Sequence, residues 1–447
     1  MNKKTVLLAG LLATVCMPLL NPAVAQEQNA ADQGEFVLSS PAAPASLVLE
    51  QAIAWALENS PALGASSARA DAATASRSQA GALPNPELSV ELDNIYGDGP
   101  YDGLDGADIT YGVSQLVELP GKRGNRVRVA DAEKNKIHYA RDAARLDLIR
   151  DITIGFASVA AAQQDVAILE EEYKLATAVL DSVAAKVKAG KEPAIQRNKA
   201  DIERSSSQIA LDRAKRDLVA KKQALSSLMG GQTGDFIAAL DSLPLMAEPQ
   251  PFDIYRSRLP QTPDIKSLDS DVNRAKAGLS LERANAVPDP TFSVGVKDMR
   301  EDDTRAFVAG VSFPFPVFNM NRAGIARAGH ELNAAMLDQR GIQLSYDADL
   351  NGVYSDFVSA YNEARALQTS VLPGAEEAFS FARQGYEAGK FGYLEVLDTQ
   401  RTLFETRKQF NQSVLDYHRQ RAIIERMTAV HNDENTTKEA RNEKVTD

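Results

Sequence analysis

The sequence predicts an α+β membrane protein in which a β-hairpin followed by a long helical hairpin occurs twice. Three observations predict it. Stretches of chain recur at a near-constant offset, strand-period alternation follows each Pro-x-Pro, and apolar seams of helical period run on far beyond what a globular domain can use.

The chain has 447 residues, and residues 1–25 read as a secretory signal. Lys3 and Lys4 precede an apolar run from Thr5 to Leu20, and Ala23-Val24-Ala25 offers a cleavage site before Gln26. The only cysteine, Cys16, lies inside this signal. Ala13-Thr14-Val15 before it make a poor lipidation box, so simple cleavage is expected rather than a lipid anchor. The mature chain then has no disulfide framework, thiolate metal site or cysteine nucleophile. Residues 26–46 are expected to be a flexible N-terminal segment.

The formal charge is −12, and no basic patch with interleaved aromatics occurs, which argues against nucleic-acid binding. Beyond the signal we expect no apolar run of about 18 residues, the length a membrane helix needs. Insertion would then require strands in a closed barrel.

The duplication is direct. Ala80 to Leu92 aligns with Ala284 to Val296, pairing Pro84-Asn85-Pro86 with Pro288-Asp289-Pro290. Ser60-Pro61 aligns with Thr262-Pro263, and Lys188-Ala189-Gly190-Lys191 with Glu387-Ala388-Gly389-Lys390. The offsets are 204, 202 and 199 residues. Repeat 1 is expected over 47–250 and repeat 2 over 251–430.

Each repeat opens with a helix, about 61–82 and 263–286, ended by two prolines that remove backbone donors. Hairpins follow at 87–118 and 291–317. Leu88, Val90 and Leu92 alternate with Glu87, Ser89, Glu91 and Asp93, and Ile109, Tyr111, Val113 and Val117 with Thr110, Gly112, Ser114 and Glu118. In repeat 2, Phe292, Val294 and Val296, then Phe307, Ala309, Val311, Phe313 and Phe315, take the apolar side. Such alternation is what a barrel strand between lipid and a wet lumen requires, and also what a half-buried sheet shows.

The helices decide between them. Ile149, Ile152, Phe156, Val159, Gln163 and Val166 recur at spacings of three and four, and Leu169, Tyr173, Ala176, Leu180, Val183 and Val187 continue the seam. In repeat 2, Tyr346, Leu350, Val353, Phe357, Ala360, Ala364, Leu367 and Val371 read without a break, and Pro373 predicts a local kink. Helices are expected at 122–189 and 193–229, then at 321–388 and 392–429. The first of these is about 100 Å long, the second about 55 Å, and the opening helix about 33 Å. One long helix can thus lie beside two shorter ones stacked end to end, as in a tube or rod. Four strands cannot close a membrane barrel, which needs about eight. Three copies would supply twelve.

These features resemble the TolC family of outer-membrane efflux channels. The resemblance covers about Leu47 to Thr428. It is carried by Leu47-Val48-Leu49-Glu50-Gln51-Ala52-Ile53 through Ser60-Pro61-Ala62-Leu63, by the twin Pro-x-Pro strand entries and by the two Ala-Gly-Lys tips. It implies a homotrimer with a 12-stranded transmembrane barrel of four strands per protomer. A periplasmic α-helical coiled-coil barrel would continue it. It further implies a periplasmic adaptor (a membrane fusion protein), an inner-membrane RND-type pump and contact with outer-membrane lipid. Gln115-Leu116-Val117-Glu118-Leu119-Pro120-Gly121-Lys122-Arg123 is similar to the CzcC/CusC-type branch, whose members serve heavy-metal efflux pumps. General drug efflux and type I secretion are the alternatives. A secreted coiled-coil protein would explain the helices but not the hairpins.

Four groups of residues follow as candidates. Pro120, Gly121, Lys122 and Arg123 would form the barrel–helix junction, with the two cations near lipid headgroups. Gly190, Lys191, Gly389 and Lys390 mark the tips 188–195 and 387–394, where the family contacts its adaptor and where chain reversal needs φ freedom. Glu395 and Asp398 lie three apart on one helix face, and in the family acidic residues here ring the periplasmic entrance. Repeat 1 has Gln196 and Lys199 instead. The loops Asp98 to Asp108 and Asp298 to Asp303 are acidic without EF-hand spacing. No metal site, cofactor or catalytic constellation is expected: His138, His330, His418 and His431 are scattered, and no nucleophile elbow or phosphate loop occurs. Trp55 should pack the first helix, and the polar tail 431–447 reads as disordered.

Overall fold

Proline and glycine positions set the breaks in this chain. A computed structural model describes residues 46–95, 106–231, 236–301 and 303–430. The signal with Cys16, nearly all of the segment 26–46, most of the loop from Asp98, and the tail with His431 lie outside them. In chain order the elements are β1 (Ser46–Leu47), α1 (Leu49–Asn59), α2 (Pro61–Ala80), β2 (Glu87–Asp93), β3 (Asp108–Leu116), α3 (Lys122–Lys188), α4 (Ala194–Leu228) and β4 (Ile237–Ala238). Then come α5 (Phe252–Arg258), α6 (Pro263–Asn285), β5 (Thr291–Met299), β6 (Thr304–Ser312), α7 (Arg322–Ala366), α8 (Leu372–Glu387) and α9 (Tyr393–Met427).

Ser60 separates α1 from α2. Its hydroxyl accepts the Leu63 N–H at 3.4 Å, and Pro61 takes the first helical position, where a missing donor costs nothing.

The four long strands form one antiparallel sheet in the order β2-β3-β5-β6. Register puts the apolar alternates together: Leu88 opposite Val113, Val113 opposite Val294, and Val294 opposite Ala309. Val90, Tyr111, Val296 and Phe307 form the next row. This face is bare, and Phe307 is 92% exposed. The opposite face carries Glu87, Ser89, Glu91, Thr110, Ser114, Ser293 and Lys297. Gly112 faces Gly295, and a Cβ on Gly295 would come 2.6 Å from the Tyr111 carbonyl, so the strands cross closely here. Among the described residues, neither β2 nor β6 has a partner on its outer edge.

The long helices depart from expectation in repeat 2. α3 is unbroken, but its counterpart is two helices joined by a π-helical turn, Leu367–Val371. Pro373 explains the turn. It has no N–H and its ring crowds the carbonyl four residues back, and widening the preceding turn relieves both. The inserted residue shifts the seam. Leu367 is buried, Val371 is 47% exposed, and burial resumes at Ala375, Phe379, Ala382 and Tyr386. α3 also holds a stretch long and apolar enough to cross a membrane by composition, contrary to the sequence reading. Its Ile152, Phe156, Val159 and Ala160 are instead buried in a core with Ala52 and Ala56 of α1 and Leu225 of α4.

A small parallel pair, β1 with β4, was not legible from the sequence. Gln163, placed above in the helical seam, clamps it: its Nε2 donates to the Ala238 carbonyl at 3.1 Å and its Oε1 accepts the Ala238 N–H at 2.8 Å.

Two polar groups in the C-terminal half of α9 are buried, and the first of them joins the repeats. Arg426 donates to Asp147 of α3 (2.8 Å) and to Asp264 of α6 (2.6 and 3.1 Å). These two carboxylates keep its guanidinium charged despite burial. His418 packs edge-on against buried Tyr417. Burial lowers its pKa to about 4, helped by Arg421 and opposed by Glu425. A neutral folded-state histidine stabilises the fold above the unfolded pKa of about 6.5, and that contribution falls away as pH drops toward 4. The interval corresponds to about 3 kcal/mol. Chemical denaturation at pH 7.5 and pH 4.5 should therefore differ more for the native chain than for His418→Phe; equal differences would contradict the assignment.

Candidate functional site

Among the described residues, side chains with chemistry converge on the polar face of the sheet, at the strand–helix junction and at the two helical tips. On the polar face Lys297 lies 3.0 Å from Asp108 and 3.6 Å from Asp93.

At the junction, Gly121 has φ +106°, a conformation that glycine alone adopts freely, and it sits at the N-cap of α3. Lys122 departs from the headgroup position expected of it. It is 8% exposed, and its Nζ lies 2.7 Å from Asp289 of the second Pro-x-Pro. Burial alone would raise the Asp289 carboxyl. The Leu119 N–H (2.8 Å) and the Lys122 ammonium hold it below the usual range instead. Arg123 donates to the Gly81 carbonyl at 2.7 Å. Sequence reading missed Arg126, which donates to the carbonyls of Ala80 and Ala82 and pairs with Glu118. Repeat 2 solves the same turn differently: Asn321 takes φ +54°, and its amide donates to the Glu282 carbonyl at 2.8 Å.

Both tips are Schellman closures built on glycine. Gly190 and Gly389 each have φ +72°. Lys191 donates its N–H to the Lys186 carbonyl (2.9 Å), and Lys390 to the Gly385 carbonyl (2.8 Å). All four of these candidate residues are exposed. Behind them, Val183, Ala200, Phe379, Tyr386, Tyr393 and Val396 form one core shared by both tips. Lys186, absent from the sequence reading, ties the repeats. Its Nζ donates to the Tyr386 carbonyl at 3.0 Å and lies 3.4 Å above the Tyr386 ring. Arg401 of α9 pairs with Glu203 of α4 at the same level.

Glu395 and Asp398 both project to the surface from the first turns of α9. Glu395 is the third helical residue, where the helix dipole favours an acid. Gln196 holds the same position in α4.

A family described as "Outer membrane efflux protein" matches residues 52–231 and 254–430. The chain is similar to the cobalt-zinc-cadmium resistance protein CzcC of Cupriavidus metallidurans: 29% identical over 393 residues, covering 87% of this chain and 91% of that one. It is 26% identical over 315 residues to the nickel-cobalt-cadmium resistance protein NccC of Alcaligenes xylosoxydans xylosoxydans, covering 70% of each. Among solved structures, the outer-membrane channel OprN superposes with a TM-score of 0.72 at 17% identity, over 85% of this chain and 89% of that chain.

Proposed function

The chain belongs to the outer membrane efflux protein family, and from that premise we propose that three copies form the exit duct of a tripartite pump exporting divalent heavy-metal cations. The duct itself lies in the outer membrane and extends into the periplasm. The observation that supports the trimer is the four-stranded sheet with a bare apolar face and, among the described residues, no partner on either edge. Such a sheet leaves backbone donors unsatisfied in lipid unless copies close it. A second face supports the same assembly. Ile195, Ile202 and Ile209 are exposed at seven-residue spacing on α4, on the side away from the residues that pack on α3.

The metal cargo rests on relatives named for cobalt, zinc, cadmium and nickel resistance. Deleting the gene should raise sensitivity to those divalent metals and leave drug and detergent sensitivity unchanged. Sensitivity to drugs alone would replace metals with organic cargo.

In this reading the tips 188–195 and 387–394 meet a periplasmic adaptor, which joins them to an inner-membrane RND-type pump. Glu395 and Asp398 of three chains would bring six carboxylates to the entrance, attracting cations and resisting anions. Replacing both with alanine should raise single-pore conductance and weaken block by divalent cations. Unchanged currents would remove the pair from the gate.

A further inference from the structure

On the polar face of the sheet, one row sets carboxylate against carboxylate. Asp93 of β2 faces Asp108 of β3, whereas Glu87 faces Ser114 and Glu91 faces Thr110. Like charges placed directly opposite repel. Lys297 of β5 answers them. It pairs with Thr110 in the neighbouring row of that face, and its ammonium lies 3.0 Å from Asp108 and 3.6 Å from Asp93. The Asn94 amide donates at 3.2 Å to the same Asp108 oxygen that meets the ammonium, which fixes the carboxylate toward it. The Lys297 side chain is 28% exposed, so the group is lodged between the acids yet open to water.

Two features indicate what this lysine does. The first is its place. The row lies where β2 ends and β3 begins, while the opposite ends of both strands join helices α2 and α3. It is thus at the end of the sheet remote from the helical tube, where cargo leaves a duct. The second is the duplication. At the offset of 204 residues that aligns the two hairpins, Lys297 corresponds to Asp93. Repeat 2 therefore carries a cation where repeat 1 carries an acid, and the sheet brings the two together. Paired carboxylates are oxygen ligands for a divalent cation. A conduit must hold its ion weakly enough at the exit to let it go. A covalently tethered ammonium occupies such a pair without ever being exchanged for cargo.

We propose that Lys297 is a specificity-determining residue of the exit, a built-in counter-ion that fills the Asp93–Asp108 pair and keeps divalent cations from lodging there. The inference rests on the reading of the chain as a metal-exporting duct. Single-pore currents test it, with CdCl2 added on the barrel side of pores formed by the native chain, Lys297→Met, Lys297→Arg and Lys297→Met/Asp93→Asn/Asp108→Asn. Methionine keeps an unbranched side chain and removes the charge, and arginine keeps the charge.

Losing one unit charge about 4 Å from a divalent ion, with screening by salt, should lower the half-blocking CdCl2 concentration about tenfold in Lys297→Met. Lys297→Arg should block as the native pore does. The triple variant should lose the added block, because the carboxylates that capture the ion are gone. Lys297→Met pores no more sensitive than native ones would overturn the counter-ion role and leave the duct standing. A triple variant as sensitive as Lys297→Met would overturn it too, since a merely loosened strand stays loosened without the acids. If repulsion between the acids keeps Lys297→Met from forming pores, Lys297→Met/Asp108→Asn takes its place. It should still block below the native concentration, and a native value there would overturn the role. No conducting pore from the native chain would sink the duct and the inference with it.

Discussion

Val294→Arg should destabilise the membrane-inserted sheet by about 2–4 kcal/mol per chain, the cost of a cation on the lipid face near the bilayer midplane. Val294 lies in the middle of β5, with Val113 on one side and Ala309 on the other, all on the bare face. Arginine there has no carboxylate within the sheet's apolar row to pair with, and three copies would carry the penalty three times. The matched control is Ser114→Lys. Ser114 lies on the polar face opposite Glu87 and Ser293, so its lysine would enter a wet lumen beside a carboxylate. The expected result is less heat-resistant oligomer in the outer-membrane fraction for Val294→Arg and near-normal oligomer for Ser114→Lys. Equal loss, or none, would mean that the bare face does not meet lipid.

Arg426→Ala should cost about 3 kcal/mol, the lower end of the range for breaking a buried ion pair. The guanidinium touches both Asp147 of the first long helix and Asp264 at the start of repeat 2. Its own side chain is 10% exposed, so it cannot be hydrated in place. Its partners are more open and can recover some water once it is gone, which keeps the loss at the lower end. Asp147 also keeps the Arg150 cation at 2.7 Å, while Asp264 keeps the uncharged Tyr346 hydroxyl at 3.4 Å. Adding Asp264→Asn to Arg426→Ala should therefore restore part of the loss, whereas adding Asp147→Asn should restore less. Denaturant midpoints of the single and double variants check this ordering.

Much of the architecture was legible because it is written in periods. Leu88, Val90 and Leu92 announce a strand by alternation alone, and Ile152, Phe156 and Val159 announce a buried helix face by spacing alone. The duplicated Pro-x-Pro and Ala-Gly-Lys fixed where elements begin and turn. What escaped was of two physical kinds. Pairings distant in the chain leave no local trace: Lys122 reads as a surface cation until Asp289 is found beside it, and Lys186 reads as a solvated lysine until the Tyr386 ring closes over it. Departures from ideal geometry also hide. Leu367 and Val371 are four apart, which an α-helical seam treats as neighbours, yet the π turn enforced by Pro373 carries Val371 out to solvent. The two-residue strands β1 and β4 are too short for any period to register.

The two halves of the chain are therefore alike in plan and unlike in detail. Repeat 1 supplies the continuous helix and the glycine junction. Repeat 2 supplies Asp289 that locks that junction, the π turn and the exposed acids of α9. Closure of one barrel by three such chains is what electrophoresis of unheated outer-membrane extract tests. A shared barrel should give a heat-sensitive species of three chains that collapses to the monomer on boiling. A single chain in the soluble fraction, with or without heating, would contradict it.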